Sequence, residues 1–255
     1  MTDALEFGVL EFGVLGPLRM WPPGADATLT APRLRGLLTL LLVEAEPVPA
    51  GQAAAACGGR GTAGPVHVAI HRLRRWLGEH GGPRLDLTPA GYRLDVPVEA
   101  VDVGRFRRLV ADGRARRDTG TLIEALELWR GPVAADAPHT LRQRYAVRTL
   151  DRVRREVTTE VAAACLADGT AHRSLPLVER MAESAPLDEL AQSLRALTLA
   201  ACGLQAEALD VIARTTRLLA EELGVDAGAH LAEARLRVLR QDFAVGQLPL
   251  ISHMA

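Results

Sequence analysis

The chain has 255 residues, of which 48% are hydrophobic, so it is long enough to bury two modest cores. Its 30 basic residues are all arginine and balance 31 acidic residues, and a net charge of −1 excludes nucleic-acid binding through an overall positive charge. Three widely spaced cysteines exclude a disulfide framework. The N-terminus lacks a signal-peptide pattern and no apolar run is long enough to cross a bilayer, so we predict a cytoplasmic protein without a membrane span.

The N-terminus contains a tandem repeat, in which Leu5–Val9 is followed by Leu10–Val14 with the same sequence. Each copy is predicted as a strand. Because the repeat period is odd, a slip by one copy would exchange the two faces of that strand. We therefore expect one copy to pair in a sheet and the other to be an extension or disordered. Arg19–Trp21 and Thr28–Thr30 are predicted as further short strands.

Three helices are predicted next. The first, Arg33–Glu44, follows Pro32 at a position where a first helical turn tolerates proline. A short alanine-rich helix is expected at Gln52–Cys57. The third is Pro65–Leu77, in which apolar residues recur at helical spacing. Its apolar stripe is formed by Val66, Ile70, Leu73 and Leu77, and its outer surface carries His67, His71, Arg72, Arg74 and Arg75.

After this helix, Arg84–Val96 is predicted as two strands joined by a Pro/Gly turn. A helix followed by a hairpin is the order of a winged helix-turn-helix, in which a helix enters the major groove of DNA. An exposed arginine there can hydrogen-bond guanine or contact a phosphate. Residues 1–96 contain nine arginines and nine acidic residues, so the predicted DNA-binding face is a local, salt-sensitive patch. The alternative is a solvated helix whose arginines only maintain solubility.

Residues 97–100 are predicted as a linker, and residues 101–245 as a second domain made of amphipathic helices. Short loops containing glycine or proline separate these helices, which is typical of an α-solenoid or bundle. Ala196, Leu199, Ala208 and Ile212 have the small–large spacing of a tetratricopeptide-type helix pair. Residues 246–255 are expected to be a loose tail. The predicted helices are Val103–Gly113, Thr121–Trp129, Leu141–Leu166, Ala171–Ser184, Asp188–Cys202, Gln205–Leu223 and Ala229–Gln241.

Several motifs, in the same order along the chain, resemble those of one known family. They are Phe12–Leu18, Pro32–Leu38, Val68–Leu77, Pro89–Leu94, Val101–Phe106, Ala125–Pro132 and Glu222–Asp226. The chain resembles the actinomycete antibiotic regulatory proteins of the SARP type. In these proteins an OmpR-like winged helix is joined to a bacterial transcriptional activation domain of tetratricopeptide-like helices.

The resemblance implies a mainly α fold with a small β component, with a winged helix-turn-helix in residues 1–96. It also implies a transcriptional activator of a secondary-metabolite gene cluster, such as one for antibiotic biosynthesis. Such an activator binds direct repeats in promoter DNA as side-by-side protomers, which implies a homodimer, and contacts RNA polymerase. Neither an enzymatic activity nor a cofactor is implied.

The resemblance also assigns roles to individual residues of the predicted third helix and the hairpin. Val68, Ala69 and Arg72 would face bases, Arg74 and Arg75 would hold phosphates, and Arg93 would lie in or beside the wing. His67 and His71 are interpreted as facing DNA or as solvated.

The sequence departs from the family pattern in its short second helix and in its wing. The family has large apolar residues ending in Leu-Trp-Gly where this chain has Ala53–Gly59, and Thr88 stands where a basic residue is common. Residues 59–65 form a glycine-rich loop. These departures leave a second hypothesis open. In it, the DNA reader is eroded and the chain acts as a co-regulator that binds a protein or a small molecule.

Other chemistries find less support in the sequence. Gly59, Gly61 and Gly64 match a dinucleotide fingerprint, but the preceding segment is not strand-like. His67 and His71 have a spacing that can bind a metal, yet four convergent ligands are not recognisable, so no metal site is predicted. An arginine run over residues 142–155 is interpreted as a solvated helix with local ion pairs, with a second nucleic-acid or polymerase surface as the alternative. No catalytic motif is recognisable, and we predict that the chain is not an enzyme.

Overall fold

A computed structural model of the chain describes residues 10–21, 29–44, 46–57, 63–133 and 135–243. The first copy of the repeat, most of the glycine-rich loop and the C-terminal tail lie outside these ranges. The strands are β1 (Glu11–Gly13), β2 (Arg19–Trp21), β3 (Arg84–Thr88) and β4 (Gly91–Asp95). The helices are α1 (Pro32–Val43), α2 (Ala50–Ala56), α3 (Ala63–Glu79), α4 (Asp102–Arg116), α5 (Thr119–Glu127), α6 (His139–Arg142), α7 (Tyr145–Ala167), α8 (Ala171–Ser184), α9 (Glu189–Ala201), α10 (Gln205–Leu223) and α11 (Ala229–Arg240).

The molecule is mostly helical with two small antiparallel hairpins, which confirms the predicted fold class. It divides into two compact units. The first contains residues 1–112 and 127–153, and the second contains residues 113–126 and 154–255. None of the helices in the described ranges is both long and apolar enough to cross a membrane.

Residues 97–100, expected to be a linker, lie within the first unit. Val98–Ala100 form a turn of 3₁₀ helix, and Ala100 is buried. Immediately after it, Val101 forms a parallel bridge with Phe12 of β1. The compact units therefore do not divide at residues 97–100.

The first unit has an apolar core to which the N-terminal hairpin, the helix-turn-helix region and α4 all contribute. Phe12, Leu37, Leu73 and Phe106 are each 0% exposed. Strands β1 and β2 pair with Phe12 opposite Met20, so the second copy of the repeat forms a strand. Leu29 and Thr30 are not part of a strand, so the two described residues of the predicted strand Thr28–Thr30 differ from the prediction. Leu29 is buried.

Polar contacts attach the N-terminal hairpin of this unit to residues that follow α4. The backbone N–H of Leu18 donates to Asp136 Oδ1 at 2.9 Å, and Arg35 forms an ion pair with the same carboxylate. Arg130 donates from Nη1 to the carbonyl oxygen of Pro17 at 3.0 Å. Its guanidinium also lies 5.8 Å from the ring centre of Trp21. The winged-helix part is therefore completed by side chains from beyond residue 100.

The second unit contains paired helices α8 to α11, as the loops containing glycine and proline predict. Its apolar core includes Val178, Leu194, Ala208 and Leu231. Helices α8 and α10 have the predicted limits. The predicted helix Leu141–Leu166 is instead two helices, because α6 ends at Arg142 and α7 begins at Tyr145.

Candidate nucleic-acid interface

Helix α3 is amphipathic, as its sequence predicts. The four residues of its apolar stripe are buried: Val66, Ile70, Leu73 and Leu77 are 2% exposed or less. Because these residues recur every three or four positions, they form one face that packs into the core of the first unit. The opposite face of α3 is therefore fixed in orientation relative to that core.

Six of the predicted site residues on α3 are exposed, and one of them is Arg74. Val68 is 61% exposed. His67, His71, Arg72 and Arg75 are also exposed. Ala69 is different, since it is 7% exposed and lies next to Ile70 on the buried side. Ala69 therefore does not belong to the exposed face of α3, which differs from the predicted role of this residue in facing bases.

The arginines of α3 have different surroundings. Arg74 donates from Nε to the carbonyl oxygen of Leu85 at 2.7 Å, which connects α3 to strand β3. Arg75 forms an ion pair with Glu79 at 2.8 Å, and this hydrogen bond and its charge raise the pKa of Arg75. Among the described residues, Arg72 makes no hydrogen bond or ion pair. Arg72 is therefore the arginine of α3 whose hydrogen-bond donors remain available for a ligand.

The hairpin of β3 and β4 forms the wing. Its register places Asp86 opposite Arg93 and Thr88 opposite Gly91. Arg93 is an exposed residue of β4. The hydroxyl of Tyr92 lies 3.3 Å from Nδ1 of His67, within hydrogen-bond distance. Together with the Arg74 contact, this pair holds the wing at a fixed position beside α3.

A close backbone approach orients the wing from its other side. Val48 and Tyr92 exchange two backbone hydrogen bonds of 2.7 and 2.8 Å. A Cβ atom at Gly91 would lie 2.3 Å from the carbonyl oxygen of Val48, and the φ of Gly91 is +139°. Only glycine combines that φ with that approach. This contact explains the glycine of the Pro-Ala-Gly-Tyr motif in physical terms.

Helix α2 is formed, as its alanine-rich sequence predicts, and its small side chains are largely buried. Ala53, Ala54 and Ala56 are buried, and so is Cys57, whose thiol pKa is raised by burial. A Cβ at Gly36 of α1 would lie 2.9 Å from the carbonyl oxygen of Ala56. Small side chains on both helices thus permit close packing, which compensates in part for the large residues that the family has here.

The arginine run in residues 142–155 is partly used in ion pairs, as its simpler interpretation predicts. Arg144 donates from Nε to Glu44 at 2.7 Å and from Nη2 to Gln52 at 2.5 Å. Arg155 pairs with Asp188. Arg144 therefore attaches the start of α7 to α1 and α2. That attachment also gives a physical reason for the break between α6 and α7.

Sequence reasoning missed several residues that position this site. Asp102 and Asp136 hold the N-terminal hairpin, and Tyr92 holds the wing. Arg74 was predicted to hold a phosphate, and its contact with Leu85 of the wing was not predicted. Tyr92 could have been found, since it falls in phase with Leu94 on the inward face of a strand. No metal site emerges in the described ranges, where no three histidine, cysteine, aspartate or glutamate side chains converge.

The chain is similar to several known regulatory proteins. The model of the bacterial transcriptional activator domain matches residues 101–239. The regulatory protein AfsR of Streptomyces coelicolor is 32% identical over 257 positions, covering 95% of this chain and 25% of AfsR. The transcriptional regulatory protein MoaR1 of Mycobacterium tuberculosis is 30% identical, covering 94% of this chain and 83% of MoaR1.

A solved structure has a similar fold. It is Mycobacterium tuberculosis EmbR in complex with a low-affinity phosphopeptide, with a TM-score of 0.65 and 29% sequence identity. The similarity covers 91% of this chain and 65% of that chain. The chain thus spans a quarter of the length of AfsR and about two thirds of EmbR.

Proposed function

The chain belongs to the family of bacterial transcriptional activator domain proteins of the SARP type, and from this membership we propose that it binds double-stranded DNA and activates transcription. The observation that carries the proposal is the exposed face of α3, where Val68 and Arg72 point away from the core beside a wing that bears Arg93. In this proposal the chain is a cytoplasmic regulator and not an enzyme.

Helix α3 would enter the major groove, which is wide enough to admit an α-helix. Arg72 would donate to a guanine edge, and Val68 would pack against a thymine methyl group. Arg75 and Arg93 would contact phosphates, and so would the terminal nitrogens of Arg74 while its Nε remains on Leu85. His67 and His71 would hydrogen-bond the DNA at the edges of this contact.

The distribution of charge supports a modest, salt-dependent affinity. On α3 and the wing hairpin, five arginines accompany three acidic residues: Arg72, Arg74, Arg75, Arg84 and Arg93 against Glu79, Asp86 and Asp95. Each arginine that neutralises a phosphate releases counterions, so affinity should fall as the salt concentration rises. The DNA sequence would be read by Arg72 and Val68, and the other arginines would set position.

The family relationship supports the further parts of the proposal. The target would be direct repeats in promoters of a secondary-metabolite gene cluster, bound by side-by-side protomers. The helical second unit would contact RNA polymerase or another protein partner. AfsR, MoaR1 and EmbR are named as regulatory proteins, which supports a role in regulating transcription.

The test is DNA binding by the full chain at several salt concentrations, on promoters from its own gene neighbourhood and on random DNA. We expect specific binding that weakens as salt rises. Arg72→Ala should cost about 1–3 kcal/mol and relax sequence preference at one position. Arg93→Ala should weaken binding to all sequences alike and reduce the salt slope by about 1.

Binding to promoter DNA no tighter than to random DNA, by a folded chain, would contradict the proposal. That outcome would favour the second hypothesis, a SARP-fold co-regulator with an eroded DNA reader. A matched control is Arg235→Ala on α11, which removes an exposed arginine from the second unit. This variant should leave the DNA affinity unchanged.

A further inference from the structure

A groove of about 380 Å³ lies in the second unit, between the end of α8, the first half of α9 and the second half of α10. This volume is within the range of pockets that hold small molecules. Four lining residues are apolar: Ala182, Pro186, Val211 and Leu218. The groove lies outside the candidate DNA interface, which belongs to the first unit.

Three arginines line the groove, Arg195 from α9 and Arg214 and Arg217 from α10. Arg214 forms an ion pair with Asp210 at 3.0 Å, and Asp210 is not a lining residue. Arg217 makes no ion pair with any described residue. Two acidic residues, Glu183 and Glu221, also line the groove. Its lining therefore has more positive than negative side chains.

Arg195 is partly buried, whereas Arg214 and Arg217 are exposed. Its Nη2 forms an ion pair with Oε1 of Glu179 at 3.6 Å, a separation that is too long for a hydrogen bond. Its Nε is buried and has no hydrogen-bond partner within the described part of the chain. A buried donor without an acceptor costs free energy, which a ligand oxygen that accepts from Nε would recover. Because this Nε makes no hydrogen bond to the described part of the protein, that ligand contact would not break one.

The walls of the groove are already fixed. Gln192 donates from Nε2 to the carbonyl oxygen of Ala182 at 2.8 Å, which joins α9 to the end of α8. The hydroxyl of Thr215 donates to the carbonyl oxygen of Val211 within α10. These side chains use their donors inside the protein. The donors that remain for a ligand are therefore mainly those of the arginines.

We infer that this groove binds a small organic acid with an apolar body. Its carboxylate accepts hydrogen bonds from the guanidinium of Arg195, a pairing that is both charged and planar. Its apolar part covers Val211 and Leu218. A polyanion such as nucleic acid fits less well, because Glu183 and Glu221 repel a continuous row of negative charges.

The experiment titrates the full chain with octanoate, and separately with octan-1-ol as a neutral probe of similar shape. Binding is followed by the amide NMR signals of the protein in the absence of DNA. Octanoate should bind with a dissociation constant of about 1 mM or tighter. The signals that move should be those of residues lining the groove. Octan-1-ol should bind about tenfold more weakly, since it lacks the charge.

Arg195→Gln should weaken octanoate binding about tenfold and leave octan-1-ol binding unchanged, because it removes the charged partner alone. Arg217→Gln, at an exposed position, should weaken octanoate binding by a smaller factor and provides a second variant if Arg195→Gln does not fold. Arg235→Gln on α11 is the matched control and should bind octanoate like the parent chain.

Equal binding of octanoate by the parent chain and both groove variants would overturn the inference. So would the absence of octanoate binding, or signal changes confined to residues outside the groove. Because these measurements contain no DNA, their outcome is independent of the DNA-binding proposal.

Discussion

The carboxylate of Asp102 accepts a hydrogen bond from the backbone N–H of Val14 at 2.9 Å, although 88 positions separate the two residues. Its second oxygen accepts from the N–H of Leu15 at 3.0 Å and from Nη2 of Arg130 at 3.2 Å. Asp102 is 2% exposed. One buried side chain at the start of α4 thus satisfies the backbone that follows β1 and pairs with an arginine beyond α5.

Asp102→Asn should destabilise the first unit by about 3 kcal/mol, because it leaves Arg130 without its buried partner. The amide also places a donor among groups that are all donors. Urea unfolding followed by circular dichroism measures the loss. The matched control is Glu99→Gln, which breaks the exposed pair with Arg108 and should cost less than about 1 kcal/mol. Equal losses in the two variants would contradict the buried role of Asp102.

A fragment that ends at residue 100 should not fold cooperatively. It lacks Asp102 and Asp136, which satisfy the N-terminal hairpin, and it lacks Phe106, which is 0% exposed in the core. A fragment of residues 1–153 retains all of these and is the matched comparison. We expect a sigmoidal urea transition for residues 1–153 and a gradual change for residues 1–100. A cooperative transition of similar midpoint in the shorter fragment would show that the winged helix is autonomous.

Gly91→Ala should destabilise the first unit by at least about 2 kcal/mol, since an alanine there combines an unfavourable φ with a clash against the backbone of Val48. Gly78→Ala is the control. Gly78 is in α3 and a Cβ there would meet nothing within 4 Å, so alanine should stabilise the helix by about 0.5–1 kcal/mol. Thermal unfolding of both variants gives the comparison. The same sign for both changes would contradict the close approach at Gly91.

The spacing of apolar residues and the positions of turn residues predicted the helices and the hairpin that depend on neighbouring residues in the sequence. The apolar spacing in α3, α8 and α10 specified their buried faces, and the turn residues located the wing hairpin. The exposed positions of Val68 and Arg72 follow from the same spacing. Ala69 was assigned to the wrong face because the resemblance, and not the spacing, placed it there.

Contacts between residues far apart in the sequence explain the features that the sequence did not predict. An aspartate at the start of a helix, such as Asp102, is typical of an ordinary N-terminal cap, and nothing local indicates that its partners are Val14 and Leu15. The break before Tyr145 has a similar origin, since Arg144 is held by Glu44 and Gln52 about 100 positions earlier.

A pH-dependent effect is expected at the start of α5, where Asp118 precedes the helix. The pKa of Asp118 is lowered, first by a hydrogen bond from the hydroxyl of Thr121 and then by one from the backbone N–H of Gly120. The donor–acceptor distances are 2.6 and 2.9 Å. Because the folded-state pKa lies below the unfolded value of about 3.9, ionised Asp118 contributes stability above that value, and the contribution is lost as pH falls through the folded-state pKa.

Thr121→Val should therefore raise the pKa of Asp118 toward its ordinary value, as measured by NMR titration of the carboxyl carbon. The variant should be less stable than the parent chain at pH 6, and the difference should shrink as the pH falls through the range in which Asp118 is protonated. Thr159→Val on α7 is the matched control, because its hydroxyl donates to the backbone carbonyl oxygen of Arg155. An unchanged Asp118 pKa in Thr121→Val would contradict the assigned cause. A pKa that moved equally in both variants would attribute the shift to a general change in the second unit.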